Sequence, residues 1–525
     1  VGDAGFLIGI ILLYSRFATT DLTELSAQVL PDTGWATLIG LCLFSGCVGK
    51  SAQFPLQAWL PDAMEGPTPV SALIHAATMV AAGIFLLARV HGLLTPDALT
   101  VIAAIGATTA FMGAYAALFQ NDIKKVLAFS TISQLGLMVM GMGVGASSAA
   151  LFHLFTHAFF KAGLFLSAGA VIYSVHHAAS VAKDPHLYVE YDTHDMRRMG
   201  GLHRQMPFTF VCYLIVAAAL AGIPLFSGFL SKDAILSEAV TWAMGKGSFF
   251  SWEGISWLVP MAAFAATLLT AFYIGRQVFM VFFGSWRGAK GIHPHINDVP
   301  LVMRIPLVLL AVLSLGIIFS LNPLNVHGSW LLSLFNHESF LTSSLRNLVL
   351  PTHQDSMNGY LIPVLSVLMS GIGIAIAYMQ FRQKQAFRKL DFRNQLPNIR
   401  ERFARDLKAI QPILFFYHLS VNNWYLDRLY ERMVAAPLLT LASSIQTFDQ
   451  RIIDRCVNLV GIIHVVIAHV LSWCDRVLVD GSINLLAYLA GQLGRFTRSF
   501  QNGKVQAYFL FALLGLVFVA IWIAW

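Results

Sequence analysis

Residues 147–175 read SSAALFHLFTHAFFKAGLFLSAGAVIYSV, an apolar run interrupted by two histidines and one lysine. A helix that crosses the hydrocarbon core of a bilayer needs ~20 consecutive, largely apolar residues, and this run exceeds that length. His153, His157 and Lys161 recur every fourth residue, so on a helix they drift by only about 80° and form one stripe. The stretch therefore predicts a membrane-spanning helix with three titratable groups on one face.

The composition of the whole chain agrees with a membrane location. Of the 525 residues, 57% are hydrophobic and 12% are charged, whereas about 25% of residues are charged in a typical soluble domain. The mean hydropathy is +0.67. These values exclude a soluble enzyme, a disordered chain and a disulfide scaffold, and the long continuous runs lack the alternation of a membrane β-barrel. We therefore expect an all-α, polytopic membrane protein.

The hydropathy pattern predicts about eleven spans, some of them interrupted helices. They are expected near residues 3–15, 36–51, 69–90, 97–119, 123–144, 147–175, 206–228, 254–283, 301–320, 358–381 and 505–525. Lysine and arginine are concentrated in the loops after the even-numbered spans, which the positive-inside rule assigns to the cytoplasm. The chain start is then expected inside and the C-terminus outside. This loop bias also accounts for the net charge of +7, so no nucleic-acid partner is expected.

Residues 382–504 differ from the preceding spans, because charged residues return while the apolar content stays high. In residues 424–432 apolar and charged residues recur at helical spacing. The sequence DQRIIDRCVN at 449–458 is echoed by DRVLVDGSIN at 475–484, a shift close to seven helical turns. We interpret the segment as a long amphipathic lateral helix along the cytoplasmic face, with a soluble domain as the alternative.

The expected organisation has three parts: a transmembrane region at 1–381, the lateral helix at 382–504 and an anchoring span at 505–525. The five cysteines show no C-x-x-C pair and no iron–sulfur spacing, and the chain contains no P-loop or dinucleotide-binding glycine motif. We therefore expect no metal, nucleotide or redox cofactor in this chain.

Several ionisable residues interrupt the apolar runs, where each costs about 2.5–3.5 kcal/mol at the bilayer centre on insertion scales. Lys50 lies just before Pro55, and the freed carbonyls and water of a helix break suit a proton site. A lysine that reaches the interface from a helix end is the alternative. His75 follows the restart GPTP at 66–69 and is interpreted either as a proton-path group or as a packing residue.

Two further groups have an open interpretation. Lys124 and Lys125 begin an unusually polar span. They are interpreted either as part of a hydrated path or as ordinary cytoplasmic anchors, and anchoring is preferred for Lys125. Lys232 and Asp233 follow an interruption marked by Pro224. They are either a helix end at the interface or a terminal proton site with its counter-ion. The stripe formed by His153, His157 and Lys161 is harder to explain as packing, and it suits proton transfer.

Five motifs resemble the antiporter-like proton-pumping subunits of respiratory complex I, and they extend over roughly residues 40–235. They are VGKSAQ at 48–53, PLQAWL at 55–60, GPTPVSALIHAATMV at 66–80, DIKKVLAFST at 122–131 and HLFTHAFFKA at 153–162. The motif FLSKD at 229–233, and the amphipathic stretch followed by one final span, are most similar to subunit L of the bacterial NADH–quinone oxidoreductase.

The resemblance implies a subunit of sixteen spans, of which this chain would hold the last eleven. It implies that the lateral helix at 382–504 braces neighbouring antiporter-like subunits on the cytoplasmic side of the bacterial inner membrane. About five N-terminal spans are expected to be missing. One of them would carry the family's buried glutamate, which acts on the lysine matching Lys50, and this sequence offers no evident substitute for it.

The resemblance also assigns residue roles. Lys50 would be the central lysine of the first half-channel, and His75 would link this half-channel to a polar axis. Lys232 with Asp233 would end the second half-channel on the outer side. Four residues would form the axis across the membrane mid-plane: Lys124, His153, His157 and Lys161.

The implied function is proton translocation coupled to quinone reduction, as one subunit of a translocating NADH:quinone oxidoreductase. NADH, FMN, iron–sulfur clusters and quinone would be bound by partner subunits, and this chain would contact the bilayer and other membrane-arm subunits. Three alternatives stay open: the large subunit of a multisubunit Na⁺/H⁺ antiporter, the membrane subunit of an inorganic-carbon pump, and a purely structural brace.

Overall fold

The computed structural model describes residues 1–27, 34–181, 192–246, 252–289, 291–322, 329–335, 358–382, 415, 417–501 and 503–525. Within these residues the structure is helical, and its β-structure is limited to two isolated bridges. Eight of the described helices are long and apolar enough to cross a membrane. The predicted all-α, polytopic membrane fold is therefore confirmed. The chain divides into two compact units, residues 1–427 and 428–525.

The first unit contains fifteen described α-helices, numbered here in chain order. They are α1 (Gly2–Phe17), α2 (Leu22–Ala27), α3 (Gly34–Lys50), α4 (Trp59–Asp62), α5 (Thr68–Ala76), α6 (Met79–Val90), α7 (Pro96–Ala117), α8 (Ile123–Gly143), α9 (Ser147–Val181), α10 (Pro207–Ala221), α11 (Ser227–Lys246), α12 (Leu258–Phe282), α13 (Leu301–Leu313), α14 (Trp330–Phe335) and α15 (Asn358–Arg382). Short 3₁₀ turns occur at Ala63–Glu65, His91–Leu93, Met196–Arg198, Trp252–Trp257, His293–His295, Gly316–Ile318 and Asn423–Tyr425.

The helix breaks predicted from proline and glycine are confirmed. Helix α3 ends at Lys50, ahead of Pro55, and only the four-residue α4 and a 3₁₀ turn precede the start of α5 at Thr68. The second break separates α10 from α11. There Gly222 has φ 74° and Leu225 has φ 79°, the left-handed conformation that glycine adopts without a steric penalty. The second break lies within the run predicted as one span at 206–228, whereas the first separates the spans predicted at 36–51 and 69–90.

Two predicted span boundaries are wrong. The span expected at 206–228 continues after its break as α11, so Lys232 lies inside a helix and not at a helix end. The span expected at 301–320 loses its helix after Leu313. The physical reason lies in the α10–α11 break, because residues 314–316 unwind to pair with it: Ser314 O accepts from Ser227 N (3.0 Å) and Gly316 N donates to Leu225 O (2.8 Å).

Helices α7 and α8 pack at very short range through small residues. A Cβ atom added at Gly106 would lie 2.2 Å from the backbone nitrogen of Met140, and one added at Gly136 would lie 2.4 Å from that of Ala110. Such close approach is typical of membrane helices, whose association depends on van der Waals packing between small residues. It places α8 at the centre of the first unit, where its apolar window is entirely buried.

The second unit is an array of helical segments with exposed side chains. Its helices are α16 (Leu426–Tyr430, across the unit boundary), α17 (Ala436–Phe448), α18 (Asp454–Cys474), α19 (Gly481–Ser499) and α20 (Val505–Ala524). Helix α20 is the predicted final span. Three π-helical turns at Glu431–Ala435, Asp449–Ile453 and Asp475–Asp480 join the segments before it. The last two turns begin at the equivalent aspartates of the 26-residue sequence repeat, so the repeat is also a repeat of backbone geometry.

A long helix is present over the described residues of the predicted lateral segment. Within the second unit, α-helical and π-helical turns follow one another from residue 428 to Ser499, which corresponds to ~110 Å at 1.5 Å per residue, well beyond the ~30 Å hydrocarbon core. The side chains of this helix are almost all exposed. The remainder of the segment, residues 383–414 and 416, lies outside the described residues.

The α7–α8 contact yields a stability prediction. We expect Gly106→Ala to destabilise the protein by about 1–3 kcal/mol or more, because the added methyl group meets backbone that cannot move without separating the helices. Thermal unfolding of the detergent-solubilised full-length chain measures the effect. Gly371→Ala is the matched control, since a Cβ there meets nothing within 4 Å. Equal unfolding temperatures for the two variants would contradict the packing argument.

Candidate functional site

Lys50 is the last residue of α3 and lies beside the first helix break. Its Nζ lies 3.4 Å from Oδ2 of Asp3 on α1, with side chains 45% and 75% exposed, respectively. A pair this exposed contributes only about 0–1 kcal/mol. The sequence analysis missed Asp3, whose separation of 47 residues from Lys50 hides the contact. An acidic residue in the first turn of an apolar helix was the available signal.

His75 lies in α5 and is completely buried. Its ring packs against Phe165 of α9, with centroids 4.9 Å apart. Neither ring nitrogen has a hydrogen-bond partner among the described residues. The structure therefore brings His75 against the helix that carries the predicted axis, but it shows no hydrogen bond from His75 to Lys50 or to that axis.

Lys124 is buried at the start of α8, whereas Lys125 is partly exposed. The Nζ of Lys124 donates to the carbonyl oxygens of Met64 (2.7 Å) and Gly66 (3.1 Å). Both carbonyls belong to the connection between α4 and α5, where no helical hydrogen bond uses them. The ammonium group thus links α8 to the chain just after the first break.

Lys161 is completely buried on α9 and faces α8. Its Nζ donates to Leu127 O (2.9 Å) and to Ser130 Oγ (2.5 Å), and it lies 5.8 Å from the ring centre of Phe165. Burying a lysine costs several kcal/mol unless polar groups replace its water. Here one carbonyl and one hydroxyl of α8 serve that purpose.

His153 joins three helices. Its Nδ1 lies 2.7 Å from Ser231 Oγ on α11, and its Nε2 lies 3.1 Å from Gln134 Oε1 on α8. Because an amide oxygen only accepts, Nε2 carries the hydrogen and Nδ1 accepts from the serine hydroxyl. Thr156 Oγ1 also contacts Ser231 Oγ (3.0 Å). His157 is buried next to this group, with its ring centre 6.1 Å from that of His153 and no hydrogen-bond partner among the described residues.

Lys232 and Asp233 are buried in the second turn of α11. Lys232 Nζ donates to Leu220 O (2.5 Å) in the last turn of α10. Asp233 Oδ1 has no hydrogen-bond partner in the described part of the chain. Consecutive residues on a helix point about 100° apart, and these two side chains diverge. The partner that the structure gives Lys232 is therefore a carbonyl at the helix break, not its neighbouring carboxylate.

Two buried residues of α12, Tyr273 and Arg276, also make polar contacts. Tyr273 is completely buried, with its hydroxyl facing Ser130 and Gln134. Arg276, to which the sequence analysis assigned no chemistry, donates to Leu118 O and Gln120 O beyond the end of α7. Neither residue carries a sequence signal that separates it from an ordinary packing or anchoring residue.

The structure therefore brings together some of the residues of the predicted proton path. Two buried hydrogen-bonded groups lie along α8 and α9: Lys161 with Ser130, and His153 with Gln134 and with Ser231 of α11. The hydroxyl of Tyr273 faces Ser130 of the first group and Gln134 of the second, and Lys232 follows Ser231 in sequence. Hydroxyl, amide and imidazole groups pass protons directly or through ordered water. The other predicted path residues have no side-chain hydrogen bond to either group in the described structure: Lys50, His75, Lys124, His157, Lys232 and Asp233. Among the described residues, no cluster of three or more His, Cys, Asp or Glu side chains could hold a metal ion.

The chain is similar to known membrane proteins of one family. The family described as NADH:quinone oxidoreductase/Mrp antiporter, TM, matches residues 1–259. The chain is 38% identical over 521 residues to NAD(P)H-quinone oxidoreductase chain 5 of Synechocystis sp., covering 91% of this chain and 70% of that relative. It is 36% identical over 529 residues to NADH-quinone oxidoreductase subunit L of Mycobacterium tuberculosis, covering 99% of this chain and 70% of that relative.

A solved structure of an Mrp complex from Dietzia sp. contains a chain of similar fold, with a TM-score of 0.59 and 25% sequence identity. The similarity covers 89% of this chain and 45% of that one. From the extent and identity of these matches, the chain belongs to the family of NADH-quinone oxidoreductase subunit L and chain 5, the antiporter-like membrane subunits of complex I.

Proposed function

We propose that this chain translocates protons across the membrane as part of NADH:quinone oxidoreductase. The observation that carries the proposal is a buried row of polar groups across α8, α9 and α11. It consists of the hydrogen-bonded groups around Lys161 and around His153, and Lys232 follows Ser231 of the second group in sequence. Lys50, His75, Lys124, His157 and Asp233 are assigned to the same path by family resemblance. Ionisable residues inside membrane segments are costly and mark ion or proton pathways, which supports a proton path here.

In this mechanism, quinone reduction in another subunit changes the charge state along the row. A charge that arrives beside a buried lysine alters its proton affinity, so that the lysine binds a proton from one side and releases it to the other. Moving one charge against 100 mV costs about 2.3 kcal/mol. A change of two pKa units, at about 1.36 kcal/mol each, is sufficient. The hydroxyl of Ser231 and the imidazole of His153 would carry the proton between the lysines.

The proposal extends to the assembly. NADH, FMN, iron–sulfur clusters and quinone would be held by partner subunits, and the segment 382–504 would contact the neighbouring antiporter-like subunits. The complex would lie in a bacterial inner membrane, with this segment on the cytoplasmic side and the C-terminus outside. The loop charges and the names of the subunit L relatives support this placement.

The first test removes the terminal lysines. In the intact complex in proteoliposomes, we expect Lys161→Ala and Lys232→Ala to lower the rate of proton uptake at least several-fold, since neither position could then hold a proton. NADH oxidation and proton uptake are recorded separately. Lys50→Ala, measured in parallel, tests the first half-channel.

Lys125→Ala is the matched control, because this lysine is partly exposed one residue from Lys124 and is expected to leave proton uptake unchanged. Native gel electrophoresis verifies assembly of every variant. Full proton uptake in both Lys161→Ala and Lys232→Ala would disprove the assigned path.

The hydroxyl bridge gives a second prediction. We expect Ser231→Ala to slow proton uptake while the complex stays assembled, because His153 loses the donor to its Nδ1 and the link to α11. Ser231→Thr retains the hydroxyl and should restore much of the rate. Ser174→Ala, a buried serine of α9 outside the row, serves as control. Wild-type uptake in Ser231→Ala would show that the bridge takes no part.

The similarity to a chain of an Mrp complex favours a second candidate, the large subunit of a multisubunit Na⁺/H⁺ antiporter. Affinity purification of the tagged chain distinguishes the two. Co-purification with flavin and iron–sulfur subunits supports the first proposal, whereas Na⁺-dependent proton exchange without such subunits supports the second. Growth rescue by high CO₂ would indicate an inorganic-carbon pump. Normal pumping in the lysine variants, with loss of assembly after deletion of 400–500, would indicate a brace.

A further inference from the structure

A deep cleft of about 600 Å³ opens between α2, α5, α6 and the first turns of α9. Its volume lies in the range of sites that bury small ligands. The walls are mainly alanine, leucine and phenylalanine side chains, among them Ala81, Phe85, Leu151 and Ala158, and none of the lining residues is acidic. Lys161, Lys232 and the other residues of the proposed proton path do not line the cleft.

Two serine hydroxyls line the cleft where α9 begins. Ser147 and Ser148 are 1% and 6% exposed and line the cleft, yet neither hydroxyl has a hydrogen-bond partner in the described structure. They occupy the first turn of a 35-residue helix, whose leading N–H groups lack intrahelical acceptors. A buried hydroxyl without a partner is costly, so a ligand that accepts hydrogen bonds would improve this end of the cleft.

The charge that lines the cleft is positive. Arg89, in the last turn of α6, is exposed and lines the cleft. The N-terminus of α9 adds the positive end of its helix dipole. A guanidinium, two hydroxyls and a helix N-terminus are the groups that recognise a phosphate, and the apolar walls suit a hydrocarbon chain.

We propose that this cleft binds one anionic phospholipid, with its phosphate between Arg89 and the first turn of α9 and an acyl chain along Phe85, Leu151 and Ala158. A zwitterionic lipid would fit the walls but would bring its own cation towards Arg89. A free anion would satisfy the serines but leave the walls empty. The proposal does not depend on proton translocation, since the cleft and the proton path share no residue.

The test counts lipids bound to the intact purified complex by native mass spectrometry. After delipidation, the complex is titrated with dioleoyl-phosphatidylglycerol or dioleoyl-phosphatidylcholine in mixed micelles. We expect Arg89→Gln to weaken phosphatidylglycerol binding several-fold and to abolish the preference over phosphatidylcholine. Ser147→Ala combined with Ser148→Ala should have a smaller effect in the same direction. Arg16→Gln, an exposed arginine outside the cleft, should have no effect.

A steric variant tests the site independently of charge. Ala158→Phe fills the cleft and should remove one bound lipid, whereas Ala162→Phe, one turn further along α9 and not in the cleft wall, should not. Inorganic phosphate should fail to displace the lipid, and displacement would indicate a free-anion site instead. The proposal is overturned if Arg89→Gln and Ala158→Phe both retain wild-type phosphatidylglycerol binding, or if a polypeptide segment fills the cleft in the intact complex.

Discussion

Backbone groups freed at a helix break must find partners inside the protein, because lipid offers none, and the α10–α11 break shows how this requirement organises the structure. Leu220 O accepts from Lys232, Ala221 O accepts from Ser370, and Leu225 O accepts from the unwound end of α13. The last contact explains why α13 is short. The break therefore holds two other helices, α13 and α15, and within the described structure it accepts the hydrogen bond that the ammonium of Lys232 donates.

The same pairing of a freed carbonyl with a buried cation recurs elsewhere. Lys124 binds the carbonyls between α4 and α5, and Arg276 binds those beyond the end of α7. Lys161 differs, because Leu127 O lies within an intact helix and also accepts from the hydroxyls of Ser130 and Thr131. Among the described residues, the ammonium of Lys161 forms hydrogen bonds to a carbonyl and a hydroxyl and no ion pair with a carboxylate. Its charge state is then open to the influence of neighbouring charges, which is what the proposed mechanism requires.

The two sides of α8 differ in packing and in polarity. Towards α7, small residues such as Gly106 and Gly136 bring the two backbones together. Towards α9 and α12, the same helix presents Ser130 and Gln134, which face Lys161, His153 and Tyr273. Tight packing on one side keeps the polar side chains of the other in fixed positions. The row can therefore lie in the interior of an otherwise apolar unit.

The sequence by itself determined the membrane class, the two main helix breaks, the stripe on α9 and the long C-terminal helix, because hydropathy, proline, glycine and helical period act over one or two turns. The tertiary structure decided which groups meet. Ser231 contacts His153 across 78 residues and Asp3 contacts Lys50 across 47, while the adjacent Lys232 and Asp233 diverge. Such pairings depend on how helices pack and on which carbonyls the breaks leave free, and neither is encoded in local spacing.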